Sequence, residues 1–200
     1  MAKLQKEFST GTDTVKIAKA LLGKYLCSRI DGVLTEGIIC ETEAYCGPDD
    51  RGCHAYNRRF TDRTRVMYAE GGVAYVYLCY GIHQLFNVVT NGEDQPHAIL
   101  IRAVEPVNGI DIMLARTGKK KFTENLAAGP GLVSQCLGFK TNHTGESLVG
   151  NKIWIDNRGT SLKKSEIIES ARVGMNFEGP YKLIPWRFRI KNSKFTSRAK

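Results

Sequence analysis

Two residues constrain this chain more than any others. Asp31-Gly32 stands alone between two strand-like runs, "KYLCSRI" and "VLTEGIICETEAY". A two-residue Asp-Gly link demands positive φ at both positions and suits the twist of a tight hairpin, so it forces the flanking runs into antiparallel register. Further β-rich runs follow at short intervals. "VAYVYLCY" and "LFNVVT" are separated by a bend at Gly81, and "HAILIRAV" follows a turn at Asn91-Gly92. This predicts about five strands between residues 24 and 104. Their connections are too short for parallel crossovers.

Helical periodicity brackets this core. Thr12 or Asp13 can cap a helix running to about Leu22, with Val15, Ala18, Leu21 and Leu22 on one face and Gly23 as its stop. "NGIDIMLART" and "GPGLVSQCLG" read as two more helices, the second with Pro130 near its start and Gly138 past its end. "KIWID" is a short strand. "WRFRIK" alternates, and predicts a half-buried strand with Trp186, Phe188 and Ile190 inward and Arg187, Arg189 and Lys191 on a basic outer face. The expected fold is α+β. It is one domain over residues 1–200, with short flexible ends and a curved, mostly antiparallel sheet. Helices surround that sheet, and one β-hairpin protrudes from it.

Charge narrows the partner. The net charge is +9, and from Tyr181 to Lys200 seven Lys or Arg occur with no Asp or Glu. "NRRFTDRTR" adds Arg58, Arg59, Arg63 and Arg65, and "GKKKF" adds three lysines. Such patches point to a polyanion. No basic amphipathic helix or bilayer-length apolar run is present, which favours nucleic acid over a membrane. The polar start "MAKLQKEFSTGTDT" carries no apolar signal region, so an intracellular protein of cytoplasm, nucleoid or nucleus is expected. Six cysteines, none in a CxxC pair, read as reduced packing thiols.

Chemistry concentrates in "IICETEAYCGPDDRGCHA". Glu41 and Glu43 share one side of a strand among apolar residues, where carboxylates are costly unless paired or used. Arg102, in the otherwise apolar "AILIRAV", is a partner for either. Three readings are open: solvated or ion-paired glutamates, one catalytic base, or a Mg²⁺ cage of Glu41, Glu43, Asp49, Asp50 and His54 serving a nuclease. Tyr75 and Tyr77 share a strand face, and Tyr80 sits where that strand should end. Such a stripe is usually sheet packing; its functional reading is base stacking, and a bulky hairpin tip can wedge between base pairs. A non-catalytic sensor of distorted duplex would need only the basic face and Tyr80.

Taken in order, "LLGKYL", "ETEAYCGPDDRGCHA", "YVYLCYGIHQLFNVVT", "ILIRAVEP", "GPG", "ARVG" and "PWRFRI" resemble the alkyladenine (3-methyladenine) DNA glycosylase family from about Leu21 to Ile190. The resemblance implies a monofunctional enzyme without metal or organic cofactor. It would act as a monomer on double-stranded DNA containing damaged purines. It would flip alkylated or deaminated purines out of the duplex, hydrolyse the N-glycosidic bond and leave an abasic site. Glu43, rather than Glu41, would activate water, and Arg102 would help hold that water. Tyr45 and His54 would line one face of the base and Tyr77 the other. The His54 N–H would read the purine edge, Asn87 would crowd the purine 2-position, and Tyr80 would be the wedge. Arg59, Arg63 and Arg65 are candidates for the DNA backbone. Two positions depart from the family's usual pattern: Leu132 stands where many relatives carry lysine, and Arg65 where an acidic residue is frequent.

Overall fold

The computed structural model describes residues 2–198. The expected flexible ends fall partly on Met1, Ala199 and Lys200, outside the described residues. The described ends are tied down: Ala2–Lys3 (β1) pairs with a later strand, and Ser197 is buried.

The five early strands form as expected. They are Tyr25–Ile30 (β2), Val33–Cys46 (β3), Ala74–Cys79 (β4), His83–Thr90 (β5) and His97–Asn108 (β6). Asp31 and Gly32 both take positive φ, and Ile30 pairs with Val33 across the turn. Ile153–Asn157 (β7), Ile167–Ser170 (β8) and Arg187–Ile190 (β9) complete one sheet, in which every pairing of named strands is antiparallel. The strand β3 is its hub. It pairs with β6 along most of its length, with β2 over Val33–Ile38, and with β9 at Glu41–Glu43.

The helices are Thr14–Leu21 (α1), Ile110–Thr117 (α2), Pro130–Leu137 (α3) and Pro180–Leu183 (α4). Asp13 caps α1 by accepting from the Lys16 N–H at 2.9 Å. Strand alternation then sorts the sheet's side chains onto two faces. Ala44, Val76, Phe86, Val88, Ile99 and Ile101 enter the main core, where α1, α2 and α3 contribute Leu21, Met113, Val133 and Leu137. The opposite face is covered only in part. There, Tyr75, Val89 and Ala98 pack with Cys53, Ala55 and Met67 from the long β3–β4 connection. The space left uncovered on this second face is the cavity described below.

The basic outer face expected for β9 is not found. Arg187 is as buried as Phe188. Alternation predicts one solvent face only when nothing covers that face, and here Arg187 lies over the hub strand and reaches Glu41. Arg189 is half-buried and Lys191 exposed.

Candidate active site

Register alone assembles the site. Glu43 pairs with Leu100, Leu100 with Asn87, and Asn87 with Tyr75, giving one row across β3, β6, β5 and β4. One step along each strand on the same face stand Tyr45, Arg102, Leu85 and Tyr77. All of these side chains except Glu43 line a cavity of about 320 Å³, closed by His54 from one loop and by Val173 and Met175 from another. Glu43 is fully buried and reaches the cavity only through Tyr45, Arg102 and Val173, which bond it.

Pairing between β3 and β6 slips near the glutamates. Register shifts fall between Ile39 and Glu41 and again between Glu41 and Thr42. Bulges re-aim side chains, and these lie where both carboxylates converge on one guanidinium. Arg102 Nε donates to Glu41 Oε1 at 3.0 Å and Nη1 donates to Glu43 Oε2 at 3.3 Å. Beyond that shared partner the two glutamates part company. Glu41 Oε1 also accepts from Arg187 Nε at 2.7 Å and Ser197 Oγ at 2.9 Å, and Oε2 accepts from the Ser197 N–H at 2.6 Å. Its acceptors are filled by structural donors: two guanidiniums, a hydroxyl and a backbone amide.

Glu43 stands beside the cavity. Tyr45 Oη donates to Oε2 at 2.8 Å, and the Val173 N–H donates to Oε1 at 2.8 Å. Oε1 thus accepts one hydrogen bond from the protein and keeps acceptor capacity for a water. Burial and the adjacent Glu43 charge push the Tyr45 phenol well above its ordinary range, so it remains a donor.

His54 returns to the sheet through a turn held by Asp50, whose carboxylate accepts from the Cys46 and Gly52 N–H groups at 3.1 and 2.9 Å. Its Nδ1 lies 2.7 Å from Tyr75 Oη. Burial, with the Arg63 and Arg59 guanidiniums, lowers His54 to about 4, so the ring is neutral near pH 7. The rings of His54 and Tyr77 meet edge to face, 4.6 Å between centroids at 74°. Rings already in contact leave no room for a base between them. They form one wall, with Tyr45 elsewhere on the cavity, rather than His54 and Tyr45 facing Tyr77. Asn87 is buried in the same row, its Nδ2 donating to the Tyr75 carbonyl at 3.0 Å.

Tyr80 is 87% exposed at the β4–β5 tip, beside Ile82 at 71%. Such apolar exposure at a protruding turn contributes nothing to this fold. Arg63 lies over the Tyr77 ring at 4.8 Å and donates to the Leu78 carbonyl at 3.4 Å. Arg65 pairs with Asp62 at 2.9 Å on the surface, and Arg59 is exposed nearby.

The five-ligand cage does not assemble. Glu41 is held by two arginines, Asp50 by Arg172, and Asp49 is exposed. Among the described residues, the only group of three donors close enough for one ion is Cys27, Glu36 and Asp156, and Arg158 already bridges its two carboxylates.

Sequence reading missed four contributors. Val173, Arg187 and Ser197 lie more than 100 residues from the glutamates they bond, and Arg172 lies as far from the Asp50 carboxylate it pairs with. The "ARVG" segment was the only visible trace of Arg172 and Val173.

Comparison with known proteins identifies the family. The family described as methylpurine-DNA glycosylase matches residues 7–194. A protein of Chlamydia felis is 45% identical over 96% of this chain and 98% of its own length. A Natranaerobius thermophilus protein is 41% identical over 98% of both, and one from Bacillus cytotoxicus is 40% identical over 93% of this chain and 95% of its own. All three are provisionally named 3-methyladenine DNA glycosylases. With a family match spanning nearly the whole sequence, the chain belongs to the methylpurine-DNA glycosylase family, hydrolases that cut N-glycosidic bonds to alkylated bases in DNA.

Proposed function

We propose that this protein, acting as a monomer, extrudes alkylated or deaminated purines from duplex DNA into the cavity and hydrolyses the N-glycosidic bond with water activated by Glu43. The target bond lies inside the duplex, so the nucleotide must leave the stack, and a damaged base that pairs poorly leaves it at lower cost. Tyr80 and Ile82 are the exposed apolar tip that would fill the gap. Tyr45 on one side and the His54–Tyr77 pair on the other would bracket the purine. Its positive charge, when N-alkylated, gains from the aromatic faces about 2 kcal/mol or more once desolvated.

In the chemical step the water oxygen bonds to C1′ as the C1′–N bond breaks. From an N-alkylated base the bonding electron pair quenches the positive charge and the base leaves neutral. A neutral deaminated base leaves as an anion and takes a proton from solvent. In both, the water's proton passes to Glu43 Oε1. The remaining carboxylate charge steadies the sugar cation as it forms. Among the described residues no lysine lines the cavity, so none there offers a Schiff-base nucleophile for strand cleavage. Arg63, over the Tyr77 ring, and the exposed Arg59 and Arg65 would meet phosphates, and Asn87, which lines the cavity, would crowd a 2-amino group.

The observation that carries this reading is one carboxylate, Glu43, held by three donors, Tyr45, Arg102 and the Val173 N–H, whose residues all line an aromatic cavity, and with acceptor capacity left. Its test is a duplex holding one defined alkylated purine, incubated with and without EDTA. Free base is expected in both, from a strand that stays intact until alkali is added. Loss of all release with EDTA would restore the nuclease reading. A second expectation concerns the tip. Tyr80→Ala should weaken capture of lesion duplex about tenfold or more if the ring replaces an extruded base, since each stacked base is worth about 1–3 kcal/mol. Its melting temperature should hold, because the side chain is 87% exposed. A clear drop in melting temperature with unchanged capture would remove the wedge role.

A further inference from the structure

Arg172 has no part in the chemistry above, yet it is among the most completely enclosed charges in the protein. Its side chain and that of Asp50 are both fully buried. Nη1 donates to Asp50 Oδ2 at 2.6 Å and Nη2 to Oδ1 at 2.7 Å, a bidentate fork. The same two nitrogens donate to the carbonyls of Ala44 at 3.0 Å and Tyr181 at 3.2 Å. The guanidinium also lies 4.6 Å from the centre of the Tyr45 ring and 5.3 Å from that of Trp186. Tyr45 borders the cavity. The next residue, Val173, supplies the N–H that holds Glu43.

A buried ion pair is a costly way to fill this space. A well-packed apolar cluster of similar volume would serve stability as well or better. A cation against a tyrosine ring also has an electrostatic consequence. It draws on the ring's negative face and repels any positive charge brought to the ring from the cavity. Arg172 alone would make the Tyr45 wall hostile to an N-alkylated purine. A carboxylate forked onto the guanidinium cancels that net charge and leaves the stacking and the loop anchorage in place. Arg63 over Tyr77 differs in this respect: it is exposed, and solvent screens it.

We propose that Asp50 and Arg172 form a specificity-determining unit: Arg172 positions the Tyr45 ring and the Val173 amide, and Asp50 neutralises it so that the cavity accepts cationic purines. This rests on the cavity being the base pocket and deepens that reading.

The test uses three changes, Asp50→Asn, Arg172→Gln and both together, each in the Glu43→Gln background so that bound lesions are not excised. Affinity is measured for two duplexes at mildly acidic pH. One holds 7-methylguanine, a cation when its N1 is protonated, and the other holds neutral hypoxanthine. Asp50→Asn leaves a bare cation behind Tyr45 and should shift the affinity ratio against the cationic lesion by on the order of tenfold. Arg172→Gln leaves a bare anion and should shift it by a similar factor in the opposite direction. The double change should weaken both lesions and return the ratio to within about twofold of the parent. A purely structural pair would weaken both lesions alike, so single variants that leave the ratio unmoved, or move it the same way, overturn the proposal. Melting curves identify any single variant that does not fold. In that case the other single variant carries the sign. If neither folds, the double variant decides, and a shifted ratio there overturns the proposal. Absence of any lesion preference in the parent would instead be a failure of the pocket itself.

Discussion

Glu43→Gln will lower release of an alkylated purine by about 10²–10⁴-fold, the usual contribution of a positioned general base, while lesion binding changes by no more than a few fold. Glutamine keeps the shape of the side chain and one acceptor oxygen, but it takes no proton at neutral pH. Its orientation follows from the partners. The Val173 N–H can only donate, whereas the Tyr45 hydroxyl can rotate and accept. The amide oxygen will therefore face Val173 and the NH₂ will face Tyr45, with Arg102 Nη1 as the one mismatched donor. Single-turnover release of free base, equilibrium binding to the same duplex and a melting curve separate the effects. Near-parental release from Glu43→Gln, with release abolished in Glu41→Gln, would reverse the roles of the two glutamates.

Distinguishing these glutamates shows what the sequence carried. Strand phase placed Glu41 and Glu43 on one side and made Arg102 a partner for either, and both inferences hold. Phase could not choose between them, because the difference lies in what covers each. Glu41 is covered by Arg187 and Ser197, whereas Glu43 is covered by Tyr45, Arg102 and Val173, which line the cavity. Arg187, Ser197 and Val173 arrive from the far end of the chain, and local pattern does not encode such distances. The five early strands, the Asp31-Gly32 turn and the three longer helices were legible because each is set by residues within a few positions of one another. β1, β8 and α4 were not, being two to four residues long and at most half-buried. The error at Arg187 has the same root. "WRFRIK" alternates as a strand with one wet face would, but its arginine is drawn inward by a buried carboxylate that alternation does not report. Likewise, spacing could list His54 and Tyr77 as aromatic wall residues without showing that they touch.

Glu41→Ala will cost about 3–5 kcal/mol of stability, the usual effect of removing one partner from a buried ion pair, and it will do so without making Glu41 a catalytic group. Arg102 and Arg187 are both nearly inaccessible, and each donates its Nε to the same Glu41 oxygen. Removing the carboxylate leaves two cations together in a site built around an anion. It also strips Ser197 of the acceptor for its N–H and hydroxyl, which releases the C-terminal segment from the sheet. Denaturant unfolding should show a lower midpoint with little change in slope, because the surface exposed on unfolding is nearly the same. Ser197→Ala supplies the scale. It loses the side-chain hydrogen bond to Oε1 and the long one, 3.4 Å, that Oγ accepts from Arg187 Nη2, keeps the backbone one, and should cost about 1 kcal/mol. Glu43→Gln should be close to neutral beside either, since the cavity supplies no second arginine to be stranded. A Glu41→Ala loss no larger than that of Ser197→Ala would mean that Arg102 and Arg187 find other acceptors. Glu43 is the nearest such acceptor for Arg102. Catalysis would then fall through a repositioned Arg102 while stability held, and the pH profile of base release would shift along with it.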